Sequence, residues 1–213
     1  MNNKEKAIII NDYFNEILYD AKCELIYRKP YELVISVMLS AQTTDKSVNN
    51  VTKVLFNKYP SLSALSNASE DDVKEIIKSI GLASSKAKNV ISISKNLLER
   101  FNGEVPFTRE ELMSLPGVGR KTANVCLLEL YSKPVMAVDT HDERVSKRLG
   151  IAKENDNVLE VEQKIYKYFN KNDLPHLHHQ FIHFGRRYCK SQNPLCSECK
   201  LKDLCKYFKK RKD

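Results

Sequence analysis

Apolar residues along the chain recur at intervals of three and four, the period of a helix with one buried face. Ile10, Phe14, Ile17 and Leu18 form one such stripe, and Val48, Val51 and Leu55 form a second. Val73, Ile76, Ile77 and Ile80 form a third, with Gly81 following as a C-terminal cap. Ala87, Val90, Ile91, Ser94, Leu97 and Leu98 form a fourth. Helix starts are marked too: Thr108-x-x-Glu111 is a capping box and Ser69-x-x-Asp72 a looser one. The pattern predicts a capped helix over 109–115 and a nearly all-apolar one over 120–131. Only Pro134-Val-Met-Ala-Val138 looks like a strand, and it is too short and solitary to build a sheet. The predicted class is all-α, without internal repeats or long linkers.

Composition adds limits. The 213 residues suffice for one ordinary domain or two small ones, and 42% apolar residues can bury a core. Seven prolines and six glycines are too few for a disordered chain or a turn-rich β architecture. No apolar run approaches the roughly 20 residues of a membrane span, so no membrane partner is expected. The opening MNNKEKAIIINDYFNEILYD is too acidic, and too polar beyond Ile10, for a signal peptide. An intracellular chain is therefore expected, in which six cysteines are ligands or free thiols rather than disulfides. The net charge of +8 suits a polyanionic partner or, more plainly, solubility.

The stretch LPGVGRKTANV (115–125) carries the first chemistry. It is not a P-loop, because Arg120 stands between Gly119 and Lys121 and no strand precedes it. It is not a dinucleotide fingerprint, because Thr122 stands where glycine is needed. Helix, tight hairpin, helix fits instead. Gly117 and Gly119 let the hairpin backbone approach a partner closely. The free N–H groups of Val118, Gly119, Arg120 and Thr122 near the second helix start suit a phosphate, a grip indifferent to base sequence. A bare helix–turn–helix corner is the alternative. Lys121, in the first helical turn beside Arg120, is either a phosphate contact or an amine available for attack on an electrophilic carbon. Asp139 reads locally as an N-cap, a role that can coexist with stabilising positive charge.

Cys189, Cys196, Cys199 and Cys205 are spaced C-x6-C-x2-C-x5-C, the marks of a four-thiolate metal site. Spacing by general rule suits zinc or an iron–sulfur cluster equally. Cys126, on the apolar helix, reads as core; Cys23 also lies outside the cluster. His176, His178, His179 and His183 crowd into PHLHHQFIHFGRR without an HExxH pattern, so packing and hydrogen bonding explain them better than zinc. The tail Lys209-Lys210-Arg211-Lys212 adds unspecific attraction or is simply solvated.

LPGVGRKTANV resembles the helix-hairpin-helix of the endonuclease III family of DNA glycosylases. LSAQTTD (39–45), IGLASSKA (80–87), NGEVP (102–106), AVDTH (137–141) and the cysteine cluster resemble the same family in its order and spacing, across essentially the whole chain. The resemblance implies two helical domains: a six-helix domain over 23–134 bearing the hairpin, and an iron–sulfur domain combining 1–22 with 135–213. It implies Lys121 as a Schiff-base nucleophile, Asp139 as its carboxylate partner and a [4Fe–4S] cluster on the four cysteines. Gln42 and Leu82 match the family's plug and wedge, although locally they read as a surface glutamine and a cap-associated core leucine. His141 belongs to the DTH triplet, orienting the start of its helix or touching DNA. Lys190 is the one basic residue of loop 190–195, where better-known relatives have more. The implied partner is double-stranded DNA containing damaged pyrimidines or abasic sites. The implied protein is a monomer in the cytoplasm, associated with the nucleoid through DNA. Two rivals share these features: a glycosylase for mismatches or pyrimidine dimers, and a non-enzymatic iron–sulfur DNA-binding module. An adenine-mismatch enzyme fits less well, given Lys121 and no extra C-terminal domain.

Overall fold

The first helix, α1 (Asn3–Ile17), starts at a capping box in which Asn2 and Glu5 exchange side-chain-to-backbone hydrogen bonds. It buries Ile10 and Phe14, with Leu18 buried just beyond its end. The computed structural model describes residues 2–210, so Arg211 and Lys212 of the basic tail lie outside the described residues. The chain forms two compact units: Glu24–Tyr131, and residues 1–23 with 132–213. All regular elements among the described residues are helical, and residues 134–138 form no strand.

In the Glu24–Tyr131 unit, α2 (Pro30–Leu39) begins with proline at its first position and is buried from Tyr31 to Leu39. A helix apolar on every side belongs at a centre, and α3 (Asp45–Lys58) packs on it through Val48, Val51 and Leu55. Next come α4 (Leu62–Ser66), α5 (Glu70–Ile77) and the long α6 (Ala83–Phe101). Two short-range expectations change here. Ser69 is the N-cap of α5 but makes no side-chain cap bond; Asp72 instead accepts from Lys58 and Tyr59. Hydrogen bonding to Asp72, ahead of burial, pushes the Tyr59 phenol up to about 12. Along α6 the inward face runs through Ala87, Val90, Ile93, Ser94 and Leu97; Leu98 is 38% exposed, because packing on α4 and α5 turns the stripe towards Ile93. Then α7 (Arg109–Met113), capped by Thr108, and α8 (Arg120–Tyr131) form the hairpin pair. Arg109 Nε donates to the buried Asn124 Oδ1 at 2.7 Å, clamping α7 to α8, and Cys126 is fully buried.

In the second unit, α1 joins α9 (Thr140–Leu149), α10 (Val158–Tyr168), α11 (Leu174–Arg187) and the short α12 (Lys206–Lys210). Its core is aromatic: Phe14 stacks edge-on against Phe181 at 5.3 Å and lies 4.8 Å from Phe184. Among the described residues no helix is long and apolar enough to cross a membrane.

Candidate active site and cysteine cluster

The hairpin joins α7 to α8 through Leu115–Gly119, with Val118 N–H closing the turn on Leu115 O at 3.1 Å. Gly117 adopts φ +74°, and a Cβ there would run into the Asn89 side-chain amide and approach Met38 Cγ to 3.3 Å. The left-handed backbone favours glycine at this position, and a side chain would also displace the Asn89 amide. Gly119 differs: its φ is ordinary and a Cβ would point into open space. Its lack of a side chain answers no need inside the protein, which leaves the surface bare to an approaching partner. Val118 is 5% exposed and its N–H is taken by Leu115 O, so the residue anchors the turn and, against the sequence expectation, has no free N–H for a phosphate. Lys121, one residue into α8, is exposed; Arg120 and Thr122 are half-buried.

Three exposed non-glycine residues in the same unit have left-handed backbones: Asn102, the C-cap of α6, where asparagine suits the conformation, and two others. Gln42 has φ +57° in the loop between α2 and α3, and Leu82 has φ +62° as the N-cap of α6. Leu82 is 61% exposed, so it is not a core leucine. Gly81 does not cap α5 in the left-handed region either; that conformation falls one residue later, on Leu82. Leucine is poorly suited to it, since left-handed backbone costs an L side chain about 1–2 kcal/mol.

In the other unit Asp139 is the N-cap of α9. Its Oδ1 accepts from His141 N at 2.7 Å and Asp142 N at 3.0 Å, while Asp142 Oδ2 accepts from Asp139 N at 3.1 Å. The aspartate is half-buried and fixed in orientation by this capping box. His141 packs against Gly185 of α11, where a Cβ would come within 2.8 Å of the histidine's own Cβ. Its Nδ1 faces Arg144 Nη2 at 3.2 Å, which suits a neutral ring accepting from guanidinium. Burial, above all, holds this imidazole below its ordinary range, against the raising effect of Asp139. His178 is buried with Nδ1 3.8 Å from Asp142 Oδ1, and His183 Nε2 lies 3.4 Å from Lys22 O.

Arg144 and Arg148, one turn apart on α9, had no assigned role in the sequence. Arg144 donates to Gly185 O at 2.9 Å and Cys189 O at 3.1 Å. Arg148 donates to Lys190 O at 2.6 Å and Ser191 O at 3.1 Å, its guanidinium 4.2 Å from the Tyr207 ring centre. The two arginines strap the cysteine segment to α9. Lys190 itself is exposed. Cys189, Cys196, Cys199 and Cys205 line one pocket, together with apolar side chains that include Leu149, Phe184 and Phe208. Burial first, and the other three cysteines after it, push the Cys199 thiol up to about 11; burial also raises Cys205. Among the described residues no three His, Cys, Asp or Glu side chains converge on a point that could hold a single ion.

A glycine-lined hairpin ahead of an exposed lysine, within a wholly helical chain, defines a DNA-gripping protein of the helix-hairpin-helix class. Residues 35–171 match the HhH-GPD superfamily of base excision DNA repair proteins. The chain is 48% identical to endonuclease III of Bacillus subtilis (strain 168), over 94% of this chain and 91% of that one. It is 47% identical to endonuclease III of Rickettsia felis, over 95% and 96%. Its fold superposes on a trapped covalent intermediate of endonuclease III with DNA at TM-score 0.94, with 46% identity and full coverage of both chains. The chain belongs to the endonuclease III family of base excision DNA repair proteins.

Proposed function

We propose that this protein excises oxidised pyrimidines from duplex DNA and then cleaves the strand at the abasic site. The observation that carries the reading is the exposed Lys121 directly behind the bare Gly119 turn, in a chain so close to endonuclease III along its length. The backbone N–H groups from Gly119 to Thr122 hold a phosphate and bring the sugar to the lysine. The neutral amine of Lys121 attacks C1′, forming a C–N bond as the glycosidic bond breaks and its electron pair leaves with the base. The amine gives up a proton, the sugar ring opens and a Schiff base results. The imine acidifies the C2′ hydrogen; its loss expels the 3′ phosphate, and water later releases the lysine. Asp139 assists by accepting the amine's proton or by stabilising positive charge on the sugar.

The target base must first leave the stack. Leu82 opens the base step and Gln42 offers its amide to the orphaned partner base. Their exposed, left-handed positions support these roles. His141 serves the Asp139 turn through its backbone N–H and its packing on Gly185, and Lys190 is at most a weak phosphate contact.

The four cysteines line one pocket and carry the C-x6-C-x2-C-x5-C spacing that resembles this family's cluster loop, so they would hold a [4Fe–4S] cluster rather than zinc. When bound, the cluster supplies structure: it ties down a segment without a core of its own, since binding energy at such a site becomes folding energy. A basic chain that grips DNA through phosphates would reside on the nucleoid.

Borohydride trapping on a thymine glycol duplex tests the reading. Wild type should form a covalent adduct and Lys121→Ala none. An adduct on a plain abasic duplex alone would keep the lyase and overturn the substrate; no adduct on either would sink Lys121 as nucleophile.

A further inference from the structure

We propose that Lys86 is a positioning residue that holds the Gln42 arch ready for insertion into DNA. Lys86 lies in the first turns of α6 with only 3% of its surface exposed, an unusual place for an ammonium group. Its Nζ donates to Ala41 O at 2.9 Å and to Thr43 Oγ1 at 3.2 Å, the residues on either side of Gln42. Thr43 is further held by its N–H to Ser40 O at 3.0 Å and its hydroxyl to Ala41 O at 3.3 Å. With the Ala41 carbonyl and the Thr43 hydroxyl held by one cation, the path of the loop on either side of the exposed Gln42 is fixed, with Gln42 in its left-handed backbone. Lys86 also donates its own N–H to Leu82 O at 3.0 Å. One residue thus joins the loop that carries the plug to the turn that carries the wedge.

Packing alone does not account for this choice. Burial disfavours the charged amine, whereas a methionine would fill the same space without desolvating a cation. What methionine cannot do is donate to a carbonyl and a hydroxyl at once and fix the loop before DNA arrives. Without that tether, ordering residues 41–43 falls on the binding step and weakens the flipped state.

The inference rests on the reading of Gln42 as a plug, and the test separates the two. Lys86→Met, Gln42→Ala and the double variant, all as cluster-containing full-length protein, are assayed on a thymine glycol duplex and on a single-stranded abasic oligonucleotide. The single strand requires no extrusion and no plug. Lys86→Met should lower kcat/KM about tenfold on the duplex, leave the single strand unchanged, and add nothing in the Gln42→Ala background. Lys86→Arg, which keeps the charge and donors, should recover part of the loss. Equal losses on both substrates, or no loss on the duplex, would overturn the proposal. Full additivity with an impaired Gln42→Ala would overturn Lys86 while the plug stands. A silent Gln42→Ala would bring down the plug and the proposal together. If Lys86→Met fails to fold, Thr43→Val removes one of the two acceptors. It should then show a smaller loss of the same kind, confined to the duplex, and equal activity on both substrates would count against the idea.

Discussion

Leu82 is where stability and activity should part. Left-handed backbone costs a leucine about 1–2 kcal/mol relative to a tolerant residue, and asparagine is the tolerant polar choice. Against that stands lost packing: a fully buried leucine contributes about 1.5–3 kcal/mol, and Leu82 is 61% exposed. Its buried share is thus worth about 0.6–1.2 kcal/mol on the same scale. Leu82→Asn should therefore be neutral or stabilising by up to about 1 kcal/mol, which for a chain of this length raises Tm by about 0–4 °C. The same substitution at Leu115, 2% exposed in the hairpin, should cost more than about 3 kcal/mol. Activity should move oppositely at position 82. Opening a base step takes a few kcal/mol, and with the wedge role proposed for Leu82 duplex turnover should fall about tenfold or more while cleavage of a single-stranded abasic site persists. Thermal melts paired with the two activity assays decide it. A Leu82→Asn protein that melts several degrees lower, or that keeps full duplex activity, would refute the argument from strain and exposure.

The hairpin glycines should separate in the same way. Gly117→Ala meets left-handed strain and must displace the Asn89 amide, and should lose about 1–2 kcal/mol in denaturant titration. Gly119→Ala should stay within about 0.5 kcal/mol of wild type yet bind duplex DNA more weakly, as a salt-dependent titration would reveal; reversed effects would break the assignment. Acid should weaken the fold through His141. Its folded proton affinity lies below the unfolded value near 6.5, so stability is lost as pH falls below that value, where the unfolded chain binds the extra proton. His141→Gln should flatten the difference in stability between pH 7 and 5, and parallel curves for the two proteins would contradict this.

Legibility in the sequence followed the range of the interaction. The stripes of α1 and α3, the Thr108 cap, the buried Cys126 and the Asp139 N-cap were readable because each depends on residues within about one helical turn. The same logic failed at Gly81. A glycine after an apolar run ordinarily marks a left-handed cap, but the chain puts that strain on Leu82 instead, where stability has no use for it. A broken local rule of this kind points to function rather than to folding.

Lys86, Arg144 and Arg148 were illegible for a different reason. Their long-range partners include backbone carbonyls 41–45 residues away: Ala41 for Lys86, Gly185 and Cys189 for Arg144, Lys190 and Ser191 for Arg148. Every residue offers the same carbonyl, so no letter in the sequence marks it as an acceptor. The donors look like ordinary surface cations on helices until the fold carries them inward. All three spend their hydrogen bonds on loops beside the groups proposed to act on DNA or to hold a cluster: Gln42 for the lysine, the cysteine segment for the arginines. The side chains that meet the ligand can be matched as motifs, because chemistry constrains their type. Those that hold the loops are constrained only by reach and charge, and their identity emerges when distance in space replaces distance along the chain.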